Sequence, residues 1–350
     1  MRRFSLCATL CTLVLTSVLI LGQAPQPAPN AAPASDVVIG SGSFSPIVSD
    51  LERSLKFYSD LVGSPAPATT PAWGSDPALL NFLGSPTSQI RFGTVRIPGS
   101  TLTVEIVEFK DIDRKPVRPR LSDPGAVRLI LIVRDLESFL ARRTSQSIPS
   151  FVLGGPSASF PNHDSGRAAM IQDPDGFFIE VLQPNVLPET TAPATSNVIG
   201  ARFGLTISDT QQTMKMYRDL LGFQPQTDAD FSSEKPLLDL MNAPGAQIRR
   251  SLATIPGSAV QVEFLEFKGV ERKPIGARIQ DPGATRLQLR VRDSDATVKA
   301  LVAAGGTVVT TGGDGGPILM SGLRVAIVRE PNNLFLVVMT SVPRPARGAQ

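Results

Sequence analysis

SDPGAVRLILIVRD, Ser122 to Asp135, returns 158 positions later as QDPGATRLQLRVRD, Gln280 to Asp293. Asp-Pro-Gly signals a turn, and the apolar run behind it reads as a buried strand. In the second copy the alternation is strict: Arg286, Gln288, Arg290 and Arg292 share one face, while Leu287, Leu289 and Val291 share the other. The matching face of the first copy carries Arg128, Ile130 and Ile132. Both copies thus put an arginine at the head of the strand.

The likeness extends well beyond this strand. Residues 97–135 align without a gap on residues 255–293, with more than half of the positions identical. Earlier in each half, IVSDLERSLKFYSDLVG corresponds to TISDTQQTMKMYRDLLGF. So long a period means a duplicated domain and not a solenoid.

A finer repeat lies inside each half: a strand ending in Asp, an amphipathic helix, then three strands. Leu51, Leu55, Tyr58 and Leu61 share a helical face, and Asp50 stands at the N-cap position. LILIVRD leads likewise into LESFLARR, and LRVRD into DATVKALVAAGG, where Gly305 and Gly306 form a stop. SQIRFGTVRI, TLTVEIVEF, AAMIQD and FFIEVLQ read as strands parted by turn residues. The chain is therefore four βαβββ units of α+β class, with helices expected on one face of antiparallel-rich sheets. The boundaries are a domain at 37–184, a Pro- and Thr-bearing linker at 185–197, a domain at 198–341 and a tail at 342–350.

Residues 1–24 read as a signal peptide: Arg2 and Arg3, an apolar run from Phe4 to Leu21, then Gly22-Gln23-Ala24. An uncleaved anchor is the competing reading. A Pro/Ala-rich linker follows at 25–36. Either reading makes the protein exported, periplasmic or extracellular, with no membrane partner for the mature form. Cys7 and Cys11 both lie in this segment, so disulfides and thiolate chemistry are not expected in the mature body. The net charge is only +3 and no basic run stands beside aromatic residues, so nucleic acid is not expected as a partner.

VSDLERSLKFYSDLVG, ISDTQQTMKMYRDLLGF and IQDPDGFFIEVLQP resemble the signature segments of the vicinal oxygen chelate (VOC) superfamily, which includes glyoxalase I, bleomycin-resistance proteins and extradiol dioxygenases. The resemblance spans most of Val38 to Thr340 and implies two tandem VOC domains, each a cup-shaped sheet built from two units. Metal-binding relatives take ligands from the first and last strands of paired units, the first of them seven residues before the helix-capping Asp. By that resemblance the positions here are Ser43, Arg128, Arg202 and Arg286 on first strands, and Glu105, Glu180, Glu263 and Val337 on last strands.

Pairing within each half groups Ser43, Glu105, Arg128 and Glu180 in one cup and Arg202, Glu263, Arg286 and Val337 in the other; pairing between units of different domains or of different chains is the alternative that the resemblance leaves open. A guanidinium has no lone pair to offer a metal and brings a positive charge of its own. Arg128 between carboxylates reads as a salt-bridged relic of a metal site; a grip on a polar ligand and a true metal site are the other readings. In the second cup Arg286 and Arg290, with Gln288 between them, are expected to clamp a small carboxylate or other anion, unless that face is wet and its arginines meet acids elsewhere on the chain. His163, the only histidine, is a loop candidate for base or stray ligand and reads more simply as a solvated turn residue. Trp73, Phe82 and Phe231 lie in the irregular segments 64–88 and 223–246, where cup walls and packing are expected.

The function expected is metal-free binding of a small molecule, with no cofactor. A glyoxalase- or dioxygenase-like enzyme and a non-catalytic scaffold are the alternatives; the first of these needs a metal as Lewis acid or redox centre.

Overall fold

Each of the four predicted capping aspartates starts a helix. Asp50, Asp135, Asp209 and Asp293 accept the backbone N–H three residues on, at 2.8–3.0 Å, which satisfies a donor the helix itself leaves orphaned. The computed structural model describes residues 36–66, 69–145, 153–158 and 166–342. The signal segment, most of the first linker and His163 lie outside the described residues.

Unit one runs β1 (Val38–Pro46), α1 (Leu51–Val62), α2 (Pro77–Phe82), β2 (Gln89–Arg96) and β3 (Thr103–Lys110). Unit two follows with β4 (Val127–Val133), α3 (Leu136–Ser145), β5 (Leu153–Ala158), β6 (Gly166–Gln172) and β7 (Phe178–Pro184). Unit three has β8 (Val198–Ile207), α4 (Thr210–Met214) continuing as a π-helical stretch over Lys215–Leu220, β9 (Gln226–Thr227), α5 (Lys235–Leu240), β10 (Gln247–Thr254) and β11 (Gln261–Lys268). Unit four closes with β12 (Thr285–Val291), α6 (Ser294–Ala303), β13 (Thr307–Val308), β14 (Ile318–Met320), β15 (Leu323–Arg329) and β16 (Phe335–Ser341).

The strand order corrects the expected pairing. One sheet runs β13-β15-β16-β12-β1-β3-β2, with β14 also on β15; the other runs β5-β6-β7-β4-β8-β11-β10-β9. Unit one therefore shares a sheet with unit four, and unit two with unit three. We call these cup A and cup B. In each, the first strands of the two units lie antiparallel at the centre, β1 on β12 and β4 on β8. The repeats at 37–184 and 198–341 are thus real in sequence without being separate bodies, and the described residues fall in one compact unit.

The backs of both sheets and the long helices make one shared core. Leu129, Leu131 and Val133 of β4, Phe203 of β8, Phe44 of β1, Leu287 of β12 and Leu51 and Tyr58 of α1 are all buried in it. Phe44 stands edge-on to Phe177 and Phe203, at 6.3 and 5.9 Å. Each inner face has its own apolar cluster instead. Ile130, Ile132 and Met170 meet Leu237, Leu238 and Leu240 of α5 in cup B, and Ile327, Phe335 and Val337 meet Leu80 and Phe82 of α2 in cup A. Helices therefore occupy both faces, a correction to the one-sided layering. The signal for α2 and α5 was slight: a Pro in the first turn of a six-residue segment.

Trp73 and Phe231 occupy equivalent places, each ring flanked by two cations. Arg91 and Lys110 lie 4.6 and 4.5 Å from the centroid of Trp73, and Arg249 and Lys268 lie 4.5 and 4.0 Å from that of Phe231.

Two kinds of cross-tie explain the duplicated RKP and DPG segments. Asp281 accepts the N–H of Lys115, and Asp123 that of Lys273, both at 2.8 Å, so each DPG turn holds the opposite half's crossover. The DPDG turn of unit two reaches unit one: Asp175 accepts from the amide and hydroxyl of Ser49, and Tyr58 donates to Asp173 at 3.0 Å. In the counterpart tie, Asn332 of unit four accepts from the amide and hydroxyl of Ser208 and donates to Glu330.

Burial pushes the Asp173 carboxyl up to about 7, despite N–H bonds from Phe177 and Asp175 and the hydroxyl of Tyr58. Glu330 is likewise pushed up by burial to about 7. Carboxyls raised in the folded state favour folding most when protonated. Their contribution is fully present below the unfolded value of about 4 and lost as pH rises through about 7. Denaturation midpoints are expected to fall across that window, and Asp173→Asn with Glu330→Gln to flatten the slope. An unchanged slope in the double variant would contradict this assignment.

Candidate functional site

In cup B the register aims three predicted residues at one point. Arg128 on β4 lies opposite Gly204 of β8, which in turn pairs with Glu263 of β11; on the other side, Glu180 of β7 is beside Ile130. The Nε of Arg128 donates to Glu180 at 2.9 Å and its Nη2 donates to Glu263. Arg128 is 0% exposed, Glu180 3% and Glu263 4%. Arg250 of β10 approaches Glu263 from the far side at 3.5 Å. Sequence reasoning missed Arg250, although its alternation with Ile248 and Leu252 puts it on the inner face. Arg202, half-buried, stands opposite Ile130 on the same face.

Glycine at 204 is what lets the guanidinium cross. A Cβ there would sit 2.5 Å from Cγ of Arg128 and 2.9 Å from Cζ. Gly204→Ala is accordingly expected to destabilise the protein by about 1–3 kcal/mol, the range for overpacking, or more if the ion pairs part; urea denaturation measures it. Burial raises the carboxyl of Glu180, Arg128 opposes that shift and the nearby Glu263 adds to it. Arg128 touches both carboxylates, and these charge-assisted contacts work against the penalty of burial.

Cup A gathers a different set. Glu105 of β3 accepts on one oxygen from the hydroxyl of Ser45 at 3.2 Å, Nη2 of Arg286 at 3.0 Å and Nε2 of Gln288 at 3.2 Å. The amide of Ser43 donates to Gln288, and its hydroxyl pairs with Thr103 at 2.8 Å. Val337, 2% exposed, fills the remaining register position. Arg290 shares the face of Arg286 but is exposed opposite Gly40, so the two do not form the expected clamp.

The predicted groupings are therefore split by the pairing of β1 with β12 and β4 with β8. Arg128 keeps Glu180 but takes Glu263 in place of Glu105, and Glu105 meets Arg286. All eight register positions lie on the two inner faces, four to a cup.

This donor set does not fit the divalent ion that the register implies. The described residues include no group of three or more His, Cys, Asp or Glu side chains placed to hold a metal. In cup B two carboxylates could ligate, but the space between them is filled by a buried cation that offers no lone pair. In cup A the corresponding four are Ser43, Glu105, Arg286 and Val337, with a single carboxylate.

The two cups also differ in access. The cluster of cup B is sealed, whereas the side chain of Glu105 is 23% exposed. On the wall beside it, Thr94 lies opposite Glu105, and Phe92, two residues away on the same face, is 46% exposed. A separate polar cavity of about 590 Å³ lies between α2 and the glycine-rich loop before β14, where Arg324 is already paired with Asp295.

Residues 201–335 match the model of the Glyoxalase/Bleomycin resistance protein/Dioxygenase superfamily. Glyoxalase I from Zea mays superposes with a TM-score of 0.52 at 16% identity, covering 87% of this chain and 92% of that one. A "putative dioxygenase" from Bacillus subtilis does so with a TM-score of 0.51 at 12% identity, covering 88% of this chain and 87% of that one. Such identities speak for fold alone. A search of the curated proteins finds no match. The model matched over residues 201–335, the four repeated units and the two inner faces lead to one conclusion: the second half of the chain is similar to the Glyoxalase/Bleomycin resistance protein/Dioxygenase superfamily, and the chain as a whole shares the fold of glyoxalase I.

Proposed function

We propose that the protein binds a small molecule in cup A without a metal, and that cup B is its structural counterweight. The observation that carries this reading is the contrast between Glu105, 23% exposed beside the open Phe92, and Arg128, wholly enclosed. Cup A offers an accepting carboxylate, the Ser43 and Thr103 hydroxyls and an aromatic wall, the mix of apolar surface and few polar groups that small-molecule sites use. Isomerase and oxygenase chemistry on this fold calls for a metal, and neither donor set suits one.

The test is a thermal-shift screen of a mixed small-molecule library, run with and without a chelator. Stabilisation that survives chelation and is lost in Phe92→Ala supports the reading. Stabilisation seen only with added metal overturns it. We propose also that the mature chain works outside the cytoplasm, on the strength of Arg2, Arg3 and the apolar run to Leu21. Cell fractionation with N-terminal sequencing tests that, and a cytoplasmic, unprocessed chain would refute it.

A further inference from the structure

The duplication makes cup B an internal control for cup A. Arg128 corresponds to Arg286, Phe178 to Phe335, Glu180 to Val337 and Gln172 to Arg329. In cup B the two buried arginines, Arg128 and Arg250, are matched by two buried carboxylates, Glu180 and Glu263. In cup A Val337 stands for the acid, Phe92 for the cation Arg250 and Arg329 for a neutral amide, which leaves Arg286 and Arg329 with Glu105.

The sheet register puts the consequences on one row. Arg286 pairs with Phe335, and Phe335 with Arg329, so both arginines flank that ring on the inner face. The guanidinium of Arg329 lies 5.3 Å from the ring centroid. Arg286, 3% exposed, has one acidic partner among the described residues, Glu105. Arg329 is half-buried and has no carboxylate partner among the described residues. The Nε atoms of Arg286 and Arg329 are buried, and neither has a hydrogen-bond acceptor among those residues.

A buried donor without a partner is costly, and a cation without a counter-charge more so. The fold tolerates that where something else supplies the anion. We propose that cup A takes a small molecule bearing a carboxylate, which stands in for the acid replaced by Val337 and pairs with Arg286 and Arg329. This rests on the reading of cup A as the binding site and names the ligand class. A carboxylate accepts two parallel N–H bonds from a guanidinium, which fits the free Nε edges. Phe92 and the half-buried Met339 lie on the same inner face and offer apolar contact to the rest of the molecule.

The experiment compares benzoate with its neutral amide, benzamide, and with benzylamine, by calorimetric titration and thermal shift on the full chain. Benzoate is expected to bind and to raise the melting temperature, while the other two do neither. Val337→Glu, which restores the acid that cup B carries, is expected to raise the melting temperature of the ligand-free protein and to weaken benzoate at least tenfold. Arg329→Gln, the residue at the equivalent place in cup B, is expected to leave the fold intact and weaken benzoate by a similar factor.

Equal binding of benzamide and benzoate in cup A would sink the carboxylate assignment while leaving cup A a binding site. Failure of benzoate, acetate, phenylacetate and decanoate alike would also overturn the assignment; the neutral members of the library screen then decide the broader reading alone. A Val337→Glu protein less stable than the parent, with Arg329→Gln unchanged in binding, would show that the cup lacks no anion.

Discussion

Cut within 185–197 and expressed separately, neither half of the chain is expected to yield a folded monomer. Each half contributes one unit to each sheet, so the cut removes β12 from β1 and β8 from β4. These are central contacts, with six and seven registered residue pairs respectively. Their loss bares two edges that were built to be interior, and such edges seek new partners. The core is divided as well, because Phe44 of the first half packs on Phe203 of the second. Gel filtration and circular dichroism of each half are expected to show unfolded or self-associated chain. Mixing the halves is expected to restore the native spectrum and a one-to-one complex. A monomeric half as cooperative as the whole would contradict the interlaced pairing.

The second large effect belongs to Arg128. Arg128→Met removes a wholly buried cation from between Glu180 and Glu263, which then face each other with Arg250 against Glu263. Breaking a buried ion pair by deleting one partner costs about 3–5 kcal/mol, and that loss is expected in urea or thermal denaturation at neutral pH. The two acids would hold their protons to higher pH than in the parent. Carboxyls raised in the folded state favour folding below their unfolded values of about 4 and cease to as pH rises. The deficit of the variant should therefore shrink on acidification and grow toward neutrality. Adding Glu180→Gln should recover much of the loss, because it removes the second buried carboxylate and leaves Glu263 with Arg250. A single variant as stable as the parent at every pH would show that the guanidinium does not hold the cup together.

Much of this was legible in the sequence, for identifiable reasons. The capping aspartates, the strand alternation around Arg128 and Arg286 and the four-unit repeat follow from local chemistry, and local chemistry survives folding. The register implied by the family resemblance put its eight positions on the inner faces. What stayed hidden was partnership. RLILIVRD and RLQLRVRD are near copies, so nothing local says that β1 should choose β12 over β4. The choice rests on the shared core and on Asp123 and Asp281 holding the opposite crossovers, contacts more than a hundred residues apart in sequence. Arg329 was hidden for a related reason. It becomes notable only beside Arg286 across two strands, with Val337 where an acid stands in the other cup.

At the centre of the account is an arginine side chain standing where the family resemblance implies a metal ligand. The direct measurement is anomalous diffraction from crystals soaked in nickel, zinc or manganese, read together with metal analysis of the dialysed protein. The account predicts the guanidinium of Arg128 bound to Glu180 and Glu263, no anomalous peak between them and far less than one ion per chain. A stoichiometric ion coordinated by those two carboxylates, with Arg128 turned away and the metal lost in Glu180→Gln, would contradict it.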